Sequence, residues 1–211
     1  MNKFKIVSLV LAIALLGTLG RLVLLMQPEA KTEPAGKAET VYRNILSRKS
    51  VRSFEETPVS AEQVDTLLRA AMAAPTGRDM RPWRFVVIDN RVVMDSLVEQ
   101  LPYAKMLKEA PLAIVVCGDQ SVLGRDGKPS CNWSFDCSAA TENLLLMAEA
   151  MGLGAVWTGV YPYADRMVAV SKALHLPDYI IPLNLIPIGY PKGNPQPKEK
   201  YDATNVHYNG W

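Results

Sequence analysis

Residues 74–83 read Ala-Pro-Thr-Gly-Arg-Asp-Met-Arg-Pro-Trp (APTGRDMRPW), a polar segment that closes one regular element and opens another. Upstream, Val64, Leu67, Leu68, Ala71 and Met72 recur at the i, i+3, i+4, i+7, i+8 spacing of a helix laid on a core, with Ser60 and Gln63 forming a capping box at its start. Pro75 stops that helix, because its ring removes an N–H and clashes with the preceding turn. Downstream, Trp83, Phe85 and Val87 alternate with Arg84 and Val86 as far as Asp89-Asn90, which is the period of a strand. A charged loop fixed between a packed helix and a strand is where binding residues collect on a rigid scaffold.

Some 20 residues earlier stands a second charged segment, Arg48-Lys49-Ser50-Val51-Arg52-Ser53-Phe54, directly after a short amphipathic helix marked by Val41, Ile45 and Leu46. Guanidinium groups match phosphate oxygens bidentately, and a serine hydroxyl completes such a cradle. By itself a basic loop is more often a solvated surface than an anion site.

The remaining elements read in order: a helix over 91–101, a strand over 113–117 whose apolar run suits burial on both faces, and a loop over 124–130. A long apolar helix over 135–151 follows, ended by Gly152. Then come a short strand or extended stretch over 155–160, a helix over 164–174, a strand over 183–188 and an irregular tail over 189–211 that needs a surface to lie on. Strands alternating with helices around one covered sheet predict an α+β or α/β sandwich.

The two charged segments together resemble the nitroreductase family, whose domains open with Arg-x-Ser-x-Arg-x-Phe and continue with Pro-Ser-x-x-Asn-x-Gln-Pro-Trp. Arg48, Ser50, Arg52 and Phe54 match the first motif; Pro75, Thr76, Pro82 and Trp83 match the second, with threonine for serine. Asp79 stands where asparagine is usual and Arg81 where glutamine is usual, so an opposite-charge pair replaces two neutral amides. Asp136, Asn143-Leu144, Ala148 and Gly152-Leu153-Gly154-Ala155-Val156-Trp157 resemble the family's dimer helix and the strand after it. Ile188-Gly189-Tyr190-Pro191, Lys198, Lys200 and Val206-His207-Tyr208 resemble its last strand and C-terminal arm, so the likeness runs from about Thr40 to Trp211.

The resemblance implies an α+β three-layer sandwich, with a mixed, mainly antiparallel sheet flanked by helices, in a homodimer that exchanges its C-terminal arms. It implies flavin mononucleotide (FMN) at the dimer interface, its phosphate held by Arg48, Lys49 and Ser50 with Lys198 or Lys200. Arg52 would approach N1 and O2 of the ring. Pro75, Thr76 and Gly77 would touch the ring from the partner subunit, and Thr158 and Gly159 would bring backbone donors toward N5 and O4. Tyr103, Trp133 and Tyr161 are candidates for the substrate face. Trp83 and Trp157 read as core packing rather than flavin stacking.

With such a cofactor, NADH or NADPH would deliver hydride and a small-molecule acceptor, a nitroaromatic, quinone or related electrophile, would remove it in a ping-pong cycle. The alternatives are a reductive dehalogenase with residues 103–108 as a lid, a small-molecule dehydrogenase, and a non-catalytic membrane-tethered flavin-binding module.

Lys+Arg 23 against Asp+Glu 21 gives a net charge of +2, and no basic stripe interleaved with aromatics is present, which argues against nucleic acid as a partner. His175 and His207 lack partners at ligand spacing, so no metal site is expected. Of the three cysteines, Cys117 reads as a buried hydrophobe; a Cys131–Cys137 bridge is open, with free thiols the simpler reading. Lys3 and Lys5 ahead of the apolar residues 6–20, Arg21 and residues 22–26 predict a hydrophobic signal anchor over 1–26. A linker over 27–40 and the domain over 41–211 follow. The charge order predicts a membrane-anchored protein with its domain on the outer side.

Overall fold

The computed structural model describes Asn2, Phe4 and residues 36–211, and the chain divides into two units, Met1–Thr40 and Val41–Trp211. Its elements are α1 (Lys37–Ser47), α2 (Ala61–Met72), β1 (Trp83–Ile88), α3 (Arg91–Gln100), β2 (Leu112–Asp119), α4 (Trp133–Ala150), β3 (Gly154–Ala155), β4 (Thr158–Gly159), α5 (Ala164–Ala173) and β5 (Ile180–Gly189). The strands form one sheet in the order β1-β2-β5-β3, with β4 also on β5, and every pairing between named strands is antiparallel. Among the described residues one isolated parallel bridge, Ser50 to Ala155, lies outside the named strands.

All eight residues of β2 are buried. Because side chains alternate across a strand, Leu112, Ile114 and Val116 pack with α2 and α4 on one face, while Ala113, Val115 and Cys117 pack with α3 and α5 on the other. These are the three layers of the expected α+β sandwich. The helices start where the sequence provides caps: Ser60 and Gln63 bond reciprocally at the head of α2, and the Asn90 side chain accepts from the N–H groups of Val92 and Val93 at the head of α3.

The last strand is longer than the sequence indicates, beginning at Ile180 rather than Leu183. Pro182 lacks the N–H that a ladder uses, and the register shifts beside it: Val116 pairs with Asn184 and Cys117 with Pro182, which leaves Leu183 as the extra residue of a bulge in β5. The stretch 155–160 is two dipeptide strands rather than one, since β3 and β4 pair separate parts of β5. Trp83 is buried as expected, but Trp157, between these two strands, is 38% exposed and is not a core residue.

The expectation of a membrane-anchored protein with an outward domain is corrected here: among the described residues, no helix is long and apolar enough to cross a membrane. The proposed anchor over 1–26 lies, apart from Asn2 and Phe4, outside the described residues, as does most of the linker over 27–40.

Candidate functional site

Ser50 and Val51 run alongside β3, with the Val51 N–H donating to the Ala155 carbonyl at 3.0 Å. Val51 fits there because residue 154 is glycine: a Cβ on Gly154 would lie 2.6 Å from the valine side chain. This docking turns Arg48, Ser50 and Arg52 to one side. After β5 the chain leaves the sheet and returns beside them, so that Arg48, Lys49, Ser50, Arg52, Gln196, Lys198 and Lys200 line a single open cleft of about 280 Å³.

Five of those residues are cations and none is an acid. Arg48 reaches a half-exposed carboxylate, Glu142, at 3.5 Å, a loose pair. Lys49 lines the same cleft, but its ammonium is bound to Glu149 at 2.8 Å in a largely buried pair, so its charge is already neutralised. Arg52, Lys198 and Lys200 have no carboxylate within ion-pair distance among the described residues. Uncompensated cations around a serine hydroxyl suit a multiply charged oxyanion.

The segment after α2 sits elsewhere. Thr76 donates its hydroxyl to Asp136 at 2.9 Å, Gly77 donates its N–H to the other oxygen of the same carboxylate at 3.0 Å, and the Arg81 N–H donates back to the Thr76 hydroxyl at 3.0 Å. Asp136 is buried in the first turns of α4, where the helix dipole favours an anion. Beyond Gly77 the backbone is strained: Arg78, Asp79 and Arg81 have φ of 55°, 55° and 49°, in the left-handed region that residues with a Cβ avoid. Asp79 and Arg81 form the opposite-charge pair that their identities imply, bidentate at 2.7 Å and exposed on both sides. The fork holds the Asp79 carboxyl below the ordinary aspartate value.

β4 supplies a third surface. The Thr158 hydroxyl is buried with no hydrogen-bond partner, and a Cβ on Gly159 would meet nothing within 4 Å, so the strand borders open space there.

A model of the nitroreductase family matches residues 45–101 and 93–190. A protein of Methanothermobacter thermautotrophicus that carries the provisional name NADH dehydrogenase/NAD(P)H nitroreductase is 41% identical over 171 residues, which are 81% of this chain and 87% of that protein. The chain belongs to the nitroreductase family. A crystal structure from Parabacteroides distasonis bearing the same provisional name is 53% identical with a TM-score of 0.77, covering 82% of this chain and 99% of that one. A NADPH:FMN oxidoreductase from Vibrio harveyi, complexed with NAD+, is 25% identical with a TM-score of 0.72, covering 81% of this chain and 77% of that one. As a member of the family this chain is an oxidoreductase.

Within this nitroreductase-family domain, the proposed phosphate and ring residues fall into three places: Arg48, Lys49, Ser50, Arg52, Lys198 and Lys200 in the basic cleft; Pro75, Thr76 and Gly77 on the loop fastened by Asp136; Thr158 and Gly159 on β4. The substrate-face candidates divide as well. Trp133 and Tyr161 stack edge to face at 4.9 Å, with Trp133 buried against Gly118, whose Cβ would collide with the indole at 2.1 Å. Tyr103 instead lies against Arg166. Sequence reasoning assigned no role to Arg166, and Asp136 entered only as a family match; neither belongs to a local pattern that signals what it holds.

The cysteines are all free. Cys117 and Cys137 lie in the core, where burial pushes both thiols up to about 12, with Cys117 and Asp136 adding to the effect on Cys137. Cys131 is exposed beside Gly77 and Arg78. Since the thiolate is the reactive form, a thiol reagent at neutral pH is expected to take up one equivalent per native chain and two more only on unfolding. Rapid uptake of three by the native protein is the contrary result.

Proposed function

We propose that the protein is an FMN-dependent oxidoreductase that takes hydride from NADH or NADPH and delivers it to a nitroaromatic, quinone or related electrophile. The observation that carries this reading is the convergence of Arg48, Ser50 and Arg52 with Lys198 and Lys200 in one acid-free cleft. Their donor chemistry fits a phosphate dianion. The open face above Gly159, next to an unpartnered Thr158 hydroxyl, fits a planar group with polar edges. Bound FMN would supply the hydride chemistry, so the residues around it need only hold, orient and exclude water.

In this reading Arg48, Ser50, Lys198 and Lys200 bind the phosphate, and Arg52 stands by the edge of the ring that gains negative charge on reduction. Thr158 and Gly159 present backbone to the ring face. The Thr76 and Gly77 loop lines a different cleft from the basic one. That separation supports a site completed by the loop of a second copy. Unpaired apolar surface supports the same homodimer: Val41, Tyr42, Ile45 and Leu46 on α1, and Tyr201, Tyr208 and Trp211 on the C-terminal arm, are exposed. The reductive-dehalogenase alternative fares worse. Residues 103–108 do not form a free lid, because Leu107 is fully buried and Arg91 donates to the Leu107 carbonyl at 2.6 Å.

Anaerobic stopped-flow mixing of the purified, FMN-loaded protein with NADH and with NADPH tests the proposal. Bleaching of the flavin by at least one donor, and recovery of colour on adding a quinone or nitroaromatic, is the expected result. A yellow protein that neither donor bleaches is a binding module. One that stays colourless after soaking in excess FMN has no place in this reading.

A further inference from the structure

The side chain of Arg166, in the first turn of α5, makes contacts that a surface arginine does not make. Its guanidinium carbon lies 3.9 Å from the centre of the Tyr103 ring and 3.9 Å from that of Tyr163, so one planar cation is in contact with two aromatic rings. One nitrogen donates to the Gly159 carbonyl at 3.0 Å. No carboxylate stands within ion-pair distance of it among the described residues. The fixed orientation of the fork is therefore spent on a backbone carbonyl.

That carbonyl is the outer end of β4, a strand of two residues that pairs only with Leu185 and Asn184 of β5. A strand so short has little ladder of its own, and the next residue, Val160, is tied by its N–H to the Leu183 carbonyl at 3.0 Å. We infer that Arg166 is a positioning residue: clamped between Tyr103 and Tyr163, it pins the Gly159 carbonyl and so fixes the register and tilt of β4 under the flavin ring. The inference rests on the FMN reading above for what β4 faces, and on the geometry alone for the clamp. Tyr103 contributes a wall rather than a substrate contact, and its buried hydroxyl has no partner. Tyr163 is half-exposed and closes the other side.

The test compares Arg166→Met, Arg166→Lys and Tyr163→Leu with the wild type, all as full-length, FMN-loaded protein. Arg166→Met is expected to raise amide exchange over residues 154–163 about tenfold, with the rest of the domain unchanged, and to slow flavin reduction by NAD(P)H about tenfold. Flavin affinity is expected to stay within a few-fold, since the phosphate cleft is untouched. Arg166→Lys keeps the charge and one donor but not the planar face, so it recovers part of both losses; Tyr163→Leu, at an exposed ring, gives a smaller effect of the same kind.

Exchange and reduction within twofold of wild type in both Arg166→Met and Tyr163→Leu overturn the inference. So does exchange raised evenly across the domain, which would make the residue a general stabiliser. If the wild type itself binds no FMN, the functional proposal fails, while the exchange measurement still decides whether the clamp exists.

Discussion

Arg48→Ala is expected to raise the dissociation constant for FMN by about 10- to 100-fold and to yield a paler protein on purification. Charge-assisted bonds from a guanidinium to a phosphate are worth about 1.5–3 kcal/mol, and each 1.4 kcal/mol is tenfold in affinity. The lost pair with Glu142 is loose, at 3.5 Å with the carboxylate half-exposed, and contributes about 0–1 kcal/mol, while the largely buried Arg48 stem adds a packing loss that thermal melting reads apart from FMN affinity. Arg52→Ala should behave differently. Its cation lies in the same cleft but, in the proposed arrangement, faces the ring edge, so most of the flavin stays bound while its reduction becomes less favourable by about tenfold, roughly 30 mV for a two-electron couple. Equilibrium titration with FMN, followed by a potential measurement on the loaded variants, separates the two effects. Unchanged affinity and unchanged potential in both would remove these residues from the site. Lys49→Ala is a useful contrast: its ammonium belongs to Glu149, and removing it strands a largely buried carboxylate, so stability suffers more than flavin binding.

The contrast between Arg48 and Lys49 marks how far the sequence could be read. Alternating cations around Ser50 and two lysines about 150 residues later are visible as residue types, and the family resemblance places both groups on one phosphate. Which cation is free is a matter of distance to Glu142 and Glu149, two acids whose residue types are visible in the sequence but whose partners, about 100 residues away, are set only by the fold. The layers were legible for a similar reason. The β-branched run that became β2, the capping box of Ser60 and Gln63 and the spacing of Val64 to Met72 are local signals, and local signals survive folding when the tertiary fold agrees with them. The division of 155–160 into β3 and β4 and the Arg166 clamp were not legible. A two-residue strand has no period to detect, and an arginine early in an amphipathic helix looks like solvent-facing charge until Tyr103, some sixty residues away, is brought against it.

Asp136 bears on both stability and function, and its substitution is expected to show this most directly. The carboxylate is buried, accepts from the Thr76 hydroxyl and the Gly77 N–H, and holds the start of a segment with three left-handed residues. Left-handed backbone costs a residue with a Cβ about 1–2 kcal/mol, so this segment keeps its shape only while something over-determines it. Asp136→Ala leaves the Gly77 N–H without its acceptor and removes the tie on Thr76, at a cost of about 1–3 kcal/mol for each stranded group. A total near 3 kcal/mol lowers the melting temperature by about 6–12 °C in a domain of this size. Asp136→Asn should be much milder. Its carbonyl can still accept from Gly77, and its amide can donate to the Thr76 hydroxyl, which has a second lone pair besides the one that serves the Arg81 N–H. If the loop serves the ring of a neighbouring copy, Asp136→Ala also weakens FMN binding while the basic cleft is intact, and the loss appears only under conditions where the protein is dimeric. Calorimetric melting of the two variants, with FMN titrations above and below the dimer dissociation range, checks both halves. An alanine variant that melts within about 1 °C of wild type would show that the loop holds its strained form without the carboxylate.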